Sequence, residues 1–92
     1  MKKKKPVARS SAPGDDYAVF TELLSTVRKE QRVTQTALAE HLGRLQTWVA
    51  KVEAGDRRID AVELIAVLDA LKVDLVEFFT RLRRQLRKKS RY

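Results

Sequence analysis

One short segment of this 92-residue chain presents side chains that can form specific hydrogen bonds with a ligand. Val49 and Val52 lie three residues apart, so on a helix they share a face that turns into a core. The outward face of the same helix would carry Gln46, Thr47, Ala50 and Lys51. An amide, a hydroxyl, a methyl group and an ammonium group provide hydrogen bonds and apolar contacts, which is the chemistry of recognition and not of bond breaking.

The composition excludes most catalytic and metal-binding sites. The chain has no cysteine and a single histidine, His41, so neither thiolates nor a histidine cluster can hold a metal ion. The sequence also shows no paired carboxylates, no nucleophile beside a base and no glycine loop that could cradle phosphates. We therefore predict that the chain is not an enzyme and uses no metal or cofactor. We interpret His41 as a surface residue.

The net charge of +8 is distributed unevenly along the chain. Residues 1–14 carry +5 and residues 81–92 carry +7, neither with any acid, whereas residues 15–80 carry −4. Within that middle part, residues 28–58 are again basic, at +3. Basic ends and a basic central segment indicate a polyanionic partner, although basic ends can also serve solubility alone.

The composition divides the chain into three parts. Residues 1–14 combine lysines with proline, serine and glycine and can bury almost nothing, so they are predicted to be a disordered basic arm. Residues 15–82 show five helical periodicities and no strand pattern, which predicts a compact all-α domain. Residues 83–92 are a basic C-terminal extension. No apolar run approaches the roughly 18 residues of a membrane span, and no apolar stretch follows the N-terminal lysines, so we expect neither a membrane segment nor a secretory signal.

Local signals predict where the helices begin and end. The predicted caps are Asp15 or Asp16, Thr34, and the capping boxes that start at Asp60 and Asp74. The first helix is expected to run to about Gln31, the second to close at Leu42 and Gly43, and the third to run over residues 46–54 and end at Gly55.

The apolar periodicity of the last two helices predicts their buried residues. For the fourth helix these are Val62, Ile65, Leu68 and Leu71. For the fifth helix they are Leu75, Phe78, Phe79 and Leu82, with Leu86 continuing the stripe.

The second and third predicted helices are short and closely joined. Only Gly43, Arg44 and Leu45 separate them, and Ala39 is placed as the small residue that two steeply crossing helices need. This is the geometry of a helix-turn-helix, whose second helix enters the major groove of DNA.

The segment 34–55, TQTALAEHLGRLQTWVAKVEAG, resembles the lambda-repressor-like, Cro/XRE-type helix-turn-helix domain of bacterial and phage transcription regulators. The resemblance covers about residues 17–80 and implies a five-helix lambda-repressor-like domain between the basic arm and the basic tail. The chain departs from the family pattern at Arg44, where an apolar residue is usual and Leu45 is expected to take over its packing. It departs again at Arg32, where glycine is frequent.

The resemblance implies roles for individual residues. Contacts to DNA bases are expected from Gln46, Thr47, Ala50 and Lys51. Contacts to the DNA backbone are expected from Gln35, Arg44, Trp48, Arg57 and Arg58. For Trp48 a second interpretation stays open, in which the indole covers the gap beside the fourth helix. Glu53 is expected to be structural and to pair with Arg57 or Arg58.

The function implied is that of a sequence-specific double-stranded DNA-binding transcription regulator, in particular a repressor. It would bind a near-palindromic operator as a homodimer, with Phe78, Phe79 and Leu82 as the expected dimer surface, and would act on the nucleoid in the cytoplasm. One alternative is an antitoxin or adaptor module that binds a toxin or the transcription machinery. Another is a non-specific nucleic-acid binder driven by the basic ends. The C-terminal basic segment itself has three interpretations: a helix that grips phosphates, a membrane-surface helix, or a frayed tail.

Overall fold

Five α-helices make up residues 13–89, the part of the chain that the computed structural model describes. They are α1 (Pro13–Glu30), α2 (Gln35–Leu42), α3 (Gln46–Ala54), α4 (Ala61–Leu71) and α5 (Leu75–Lys89). Residues 13–89 contain no strand, so the predicted all-α, five-helix architecture is confirmed. The division into arm, domain and extension stays a prediction, because residues 1–12 and 90–92 lie outside the described range.

The ends of α2 and α3 lie where the sequence places them. The Thr34 hydroxyl accepts a hydrogen bond from the Ala37 amide at 3.0 Å and thereby caps α2. Gly43 and Gly55 end the two helices with φ angles of 69° and 83°, a left-handed conformation that glycine adopts without steric cost. The two short helices and the turn between them are therefore fixed by local chemistry.

The two outer helices are longer than predicted. α1 begins at Pro13, so Asp15 and Asp16 lie in its first turn and the prediction that they cap it is wrong. Proline suits the first helical position because its φ is already helical and its missing N–H group has no partner there. α5 continues to Lys89, so residues 83–89 of the basic segment are helical and not frayed.

The core lies where α1 to α4 meet, and α5 closes it with one aromatic ring. Its apolar members are Leu23, Leu24, Val27, Leu38, Ala39, Val49, Val52, Leu64, Val67, Leu68, Leu71 and Phe78. Ala39 is 1% exposed, as expected for the residue at which α2 crosses its neighbours. Phe78 is fully buried and contacts Phe20 edge to face, with ring centroids 6.1 Å apart.

On α4 the predicted buried face is partly wrong. Leu68 and Leu71 are buried, but Val62 is 77% exposed and Ile65 is 44% exposed. A constant spacing of three residues drifts around a helix of 3.6 residues per turn, so four such residues cannot share one face. The inward face is instead formed by Leu64, Val67, Leu68 and Leu71. Successive members of this set are three, one and three residues apart, which keeps them on one side of the helix.

On α5 only some of the residues predicted to be buried are buried. Phe78 is buried and Leu82 packs against the core, whereas Leu75 and Phe79 are 38% and 45% exposed. Among the described helices α5 packs mainly on α1. A single neighbouring helix covers one side of the apolar stripe and leaves the other side open.

Arg32 adopts a conformation that favours glycine. Its φ is 60°, its amide donates to the Lys29 carbonyl oxygen at 2.9 Å, and the Val33 amide donates to the Arg28 carbonyl oxygen at 3.2 Å. These bonds end α1, and they require a left-handed residue at position 32. A side chain at such a position costs about 1–2 kcal/mol.

We therefore expect Arg32→Gly to raise the free energy of unfolding by up to about 1 kcal/mol, because relief of strain exceeds the extra chain entropy of glycine. The melting temperature, measured by circular dichroism, should rise by about 4–8 °C for each kcal/mol added to the free energy of unfolding. Glu22→Gly, at an exposed position inside α1, is the matched control and should lower it. A lower melting temperature for Arg32→Gly would contradict the assignment of strain to this residue.

Candidate nucleic-acid interface

The outward face of α3 carries the predicted recognition residues. Val49 and Val52 are each 2% exposed and anchor the helix. Gln46, Thr47 and Lys51 are exposed and Ala50 is half-buried. The helix thus presents an amide, a hydroxyl, a methyl group and an ammonium group along one side, as its sequence predicts.

Leu45, the residue before α3, does not pack in place of Arg44. It is extended, with φ −78° and ψ 151°, and its side chain is 76% exposed. That expectation is wrong: the nearby residue that packs against the core is Trp48, and Arg44 lies over its ring. Leu45 makes no side-chain hydrogen bond to the helix, as expected for a residue without a side-chain oxygen.

Glu53 pairs with α1 and not with the loop after α3. Its carboxylate accepts from Arg28 Nε at 2.6 Å and from Arg28 Nη2 at 3.0 Å, and the two side chains are only 7% and 9% exposed. Arg28 Nη1 also donates to the Val33 carbonyl oxygen at 2.8 Å. The expected pairing with Arg57 or Arg58 is wrong, because Glu53 lies on the side of α3 that faces α1 and the loop arginines find other partners.

Gln35 and Gln46 join this ion pair to the exposed face. Gln35 Nε2 donates to Glu53 Oε1 at 3.0 Å, and Gln46 Nε2 donates to Gln35 Oε1 at 2.8 Å. Gln35, at the start of α2, and Gln46, at the start of α3, therefore lie side by side on the surface. The sequence predicts both residues for this surface but gives no indication that they contact each other.

Trp48 is flanked by two arginines. The Arg44 guanidinium carbon lies 4.3 Å from the indole ring centroid and that of Arg57 lies 5.3 Å away. The indole is half-buried, and its Nε1–H group is buried without a hydrogen-bond partner in residues 13–89. The indole therefore packs against the core while two guanidinium groups lie over its ring. A contact between Trp48 and the DNA backbone stays a prediction.

Glu63 holds both arginines in place. Its carboxylate lies 3.3 Å from Arg44 Nη2 and 3.2 Å from Arg57 Nη1, while it also accepts from the Asp60 amide at 3.1 Å. The pKa of Glu63 is lowered, most by the hydrogen bond from the Asp60 amide and next by the hydrogen bond from the Arg57 guanidinium. The sequence predicts Glu63 only as part of a capping box. Its contact with Arg44 joins residues 19 positions apart, which no local pattern indicates.

A groove of about 630 Å³ runs beside this cluster. It is lined by Gly43, Arg44, Leu45, Thr47, Trp48, Lys51, Asp56 and Arg57. The groove brings together three basic side chains: Arg44 from the turn before α3, Lys51 from α3, and Arg57 from the loop after it. Such a basic concave surface suits the phosphates of a nucleic-acid backbone.

Arg58 and His41 lie in other surroundings. The Arg58 guanidinium stacks over Tyr17 of α1, 4.1 Å from the ring centroid. His41 is exposed in the last turn of α2, and no cluster of potential metal ligands occurs within residues 13–89. Over the same residues, no helix is long and apolar enough to cross a membrane.

Two short helices joined by a tight turn, with the second exposing polar residues and flanked by arginines, define a helix-turn-helix domain. The family model described as "Helix-turn-helix domain" matches residues 19–80, two thirds of the chain. This chain belongs to the helix-turn-helix domain family. The membership confirms the sequence resemblance, and it confirms that the domain is a DNA-binding domain and not an enzyme.

Solved structures show the same fold. The wild-type restriction-modification controller protein C.Esp1396I is similar with a TM-score of 0.74 and 23% identity over 86% of this chain and 99% of that one. A threonine-to-alanine mutant of that protein gives a TM-score of 0.74 at 21% identity, covering 78% and 96% of the two chains. A tyrosine-to-phenylalanine mutant gives 0.71 at 22% identity, covering 77% and 90%. No curated protein sequence matches the chain. At these identities the similarity establishes the lambda-repressor-like fold.

Proposed function

We propose that this protein is a sequence-specific transcription regulator, a repressor that binds a near-palindromic operator as a homodimer with α3 in the major groove. The observation that carries the proposal is the outward face of α3, where Gln46, Thr47 and Lys51 are exposed on a helix anchored by Val49 and Val52. Glutamine matches the N6 and N7 groups of adenine, and threonine matches the methyl group of thymine. The fold similarity to a restriction-modification controller protein supports a regulatory role. The protein would act on the nucleoid in the cytoplasm.

Contacts to the DNA backbone are proposed for Gln35, Arg44, Trp48, Arg57 and Arg58. The first four surround the start of α3, where phosphates would lie on either side of the groove. Arg44 and Arg57 would exchange part of their contact with Glu63 for contacts to phosphate. Such contacts fix the position of the protein on the duplex and carry no sequence information of their own.

One of the three residues predicted for the dimer surface cannot contribute to it. Phe78 is fully buried within its own domain and is not available to a partner. Phe79 remains 45% exposed, Leu82 is half-buried, and the adjacent Val76 is 72% exposed. We propose that this edge of α5 contacts a second copy. In a dimer that binds two half-sites, the two copies of α3 would lie about one DNA turn apart, roughly 34 Å.

Base reading is tested by selecting random double-stranded DNA with the purified protein and sequencing the bound fraction. We expect an enriched near-palindrome, and Gln46→Ala should relax the preference at one position in each half-site by about 1–3 kcal/mol. Glu40→Ala, on the exposed surface of α2, is the control and should leave the motif unchanged. Tight binding without an enriched motif would contradict sequence-specific recognition and favour the non-specific binder. No binding at all would favour an antitoxin or adaptor module.

The basic segments predict a strong salt dependence. Arg83, Arg84, Arg87 and Lys88 are exposed on the end of α5, and residues 1–12 add further lysines. If six phosphates are neutralised, the slope of log K against log salt concentration should be about −5. The fluorescence of Trp48, the single tryptophan, can follow the titration. Removal of residues 1–12 and 83–92 should make this slope less steep and leave the enriched DNA motif unchanged. Loss of the motif would show that the removed segments determine sequence specificity.

A further inference from the structure

One carboxylate pairs with both arginines that flank α3. Glu63 Oε2 lies 3.3 Å from Arg44 Nη2, and Arg57 donates to both oxygens of Glu63 at 3.2 Å. Arg44 precedes α3 in the chain and Arg57 follows it, whereas Glu63 belongs to α4. A single negative charge therefore offsets half of the positive charge that the two arginines bring to the proposed DNA surface.

The arginines are free to leave this carboxylate, but the carboxylate is held where it is. Hydrogen bonds between charged groups of this kind are usually about 2.7–2.9 Å long, so the contacts to Arg44 and Arg57 are long ones. The two arginine side chains are 39% and 40% exposed, whereas that of Glu63 is 18% exposed. Glu63 also accepts from the Asp60 amide within the capping box of α4. A phosphate that approaches from solvent can thus reach both guanidinium groups while the carboxylate stays beside them.

Trp48 keeps the arginines at this surface independently of Glu63. The guanidinium carbons of Arg44 and Arg57 lie 4.3 Å and 5.3 Å from the centroid of the indole ring. Stacking uses the face of a guanidinium group, whereas its hydrogen-bond donors point outward in its plane. Removal of the carboxylate should therefore leave both groups beside the groove, with more donors available to a ligand.

We propose that Glu63 competes with DNA phosphates for Arg44 and Arg57 and thereby lowers the affinity of the protein for duplexes of every sequence. The inference rests on the proposed function, which takes both arginines as backbone contacts, and adds an opposing role for an acidic residue. Carboxylate and phosphate use the same guanidinium donors, so a new contact to phosphate weakens one to Glu63.

The competition acts mainly on binding that does not depend on sequence. Phosphate contacts supply essentially all of the affinity of a protein for non-specific DNA, and they carry no sequence information. The lowered pKa of Glu63 keeps its carboxylate charged at neutral pH. Glu63 therefore shortens the time that the protein spends on non-specific DNA and leaves the base contacts of α3 unchanged.

Glu63→Gln tests the competition because it removes the charge and keeps an oxygen that can accept from the Asp60 amide. Two exposed ion pairs correspond to about 2- to 30-fold in binding, so affinity for a random-sequence duplex should rise by such a factor. Glu77→Gln is the matched control, because it removes the same charge at the third residue of α5, as position 63 is the third residue of α4. Salt should screen this distant charge and limit its effect to less than about twofold. DNA selection should give the same motif for all three proteins.

Arginine substitutions in both backgrounds distinguish competition from positioning. Arg44→Ala and Arg57→Ala should each reduce affinity by a factor about 1.5 to 5 times larger in Glu63→Gln than in the wild-type protein. Lys51→Ala removes a cation of the same groove that has no ion pair within residues 13–89, so its effect should be equal in the two backgrounds. Smaller losses for the arginine variants in Glu63→Gln would show that Glu63 positions the arginines for DNA, and would overturn the inference.

The affinities are comparable if circular dichroism shows the same helix content in Glu63→Gln and in the wild-type protein. Equal affinity of these two proteins for the random-sequence duplex would overturn the inference, even if DNA selection yields a near-palindrome. A gain in Glu63→Gln without an enriched motif would support the competition and contradict sequence-specific recognition. Absence of DNA binding by every variant would contradict the inference and the proposed function together.

Discussion

Glu53→Ala should lower the free energy of unfolding by about 3–5 kcal/mol, the usual cost of leaving one partner of a buried ion pair without the other. Arg28 would keep only its hydrogen bond to the Val33 carbonyl oxygen, inside a cluster where its side chain is 9% exposed. Domains of this kind are stable by about 5–15 kcal/mol in total, so the variant should be close to unfolding at room temperature. Urea denaturation followed by circular dichroism measures the change.

The exposed ion pair of Arg81 and Glu30 provides the matched control. Its atoms approach to 2.9 Å, and the Arg81 guanidinium lowers the pKa of Glu30, yet the two side chains are 28% and 49% exposed. Water and salt screen such a pair, so Glu30→Ala should have a much smaller effect. Replacement of both Arg28 and Glu53 by methionine should recover much of the stability lost in Glu53→Ala, because no buried charge remains. Equal losses for Glu53→Ala and Glu30→Ala would show that burial of the first pair has little energetic importance.

Phe79→Glu should separate the proposed dimer and weaken binding to a two-half-site operator by about 10²–10⁴-fold. The effect would arise because the second half-site is then no longer held at a high effective concentration by the first. Sedimentation equilibrium should show the loss of the dimer, and binding to a single half-site should change little. The fold should survive, since Phe78 and not Phe79 fills the core.

Thr26→Glu is the control for the added charge, because it introduces the same group at an exposed position of α1. It should leave both the dimer and the operator affinity unchanged. A wild-type protein that sediments as a monomer at all concentrations and still binds a palindrome would contradict the proposed α5 surface. So would a Phe79→Glu variant that remains dimeric.

The features that the sequence predicts correctly are those with local causes. Thr34, Gly43 and Gly55 fix the ends of α2 and α3 through hydrogen bonds and backbone conformations within a few residues. Arg32, identified as a departure from the family pattern, has the positive φ that explains why glycine is frequent there. Each of these residues acts on its immediate neighbours, so a single sequence contains the necessary information.

The features that the sequence does not predict depend on which helix lies opposite. α4 is almost wholly apolar, so its periodicity alone cannot decide between the stripe containing Leu64 and the one containing Val62. The partners of Glu53 and Glu63 were missed for the same reason, because Arg28 and Arg44 are 25 and 19 residues away. The exposed positions of α3 could be predicted, but the contact between Gln35 and Gln46 depends on how α2 and α3 cross.

The outward face of α3 also limits which of its residues can be replaced easily during evolution. Thr47 and Lys51 are exposed and form no side-chain hydrogen bond or ion pair within residues 13–89, so mutation can exchange them at little cost to folding. Gln46 differs because its amide is bonded to Gln35, and a new residue there would have to suit position 35 as well. Under the proposed function, descendants of this protein should therefore acquire new DNA-binding sites through positions 47 and 51 one mutation at a time. Changes at position 46 should arise together with changes at position 35.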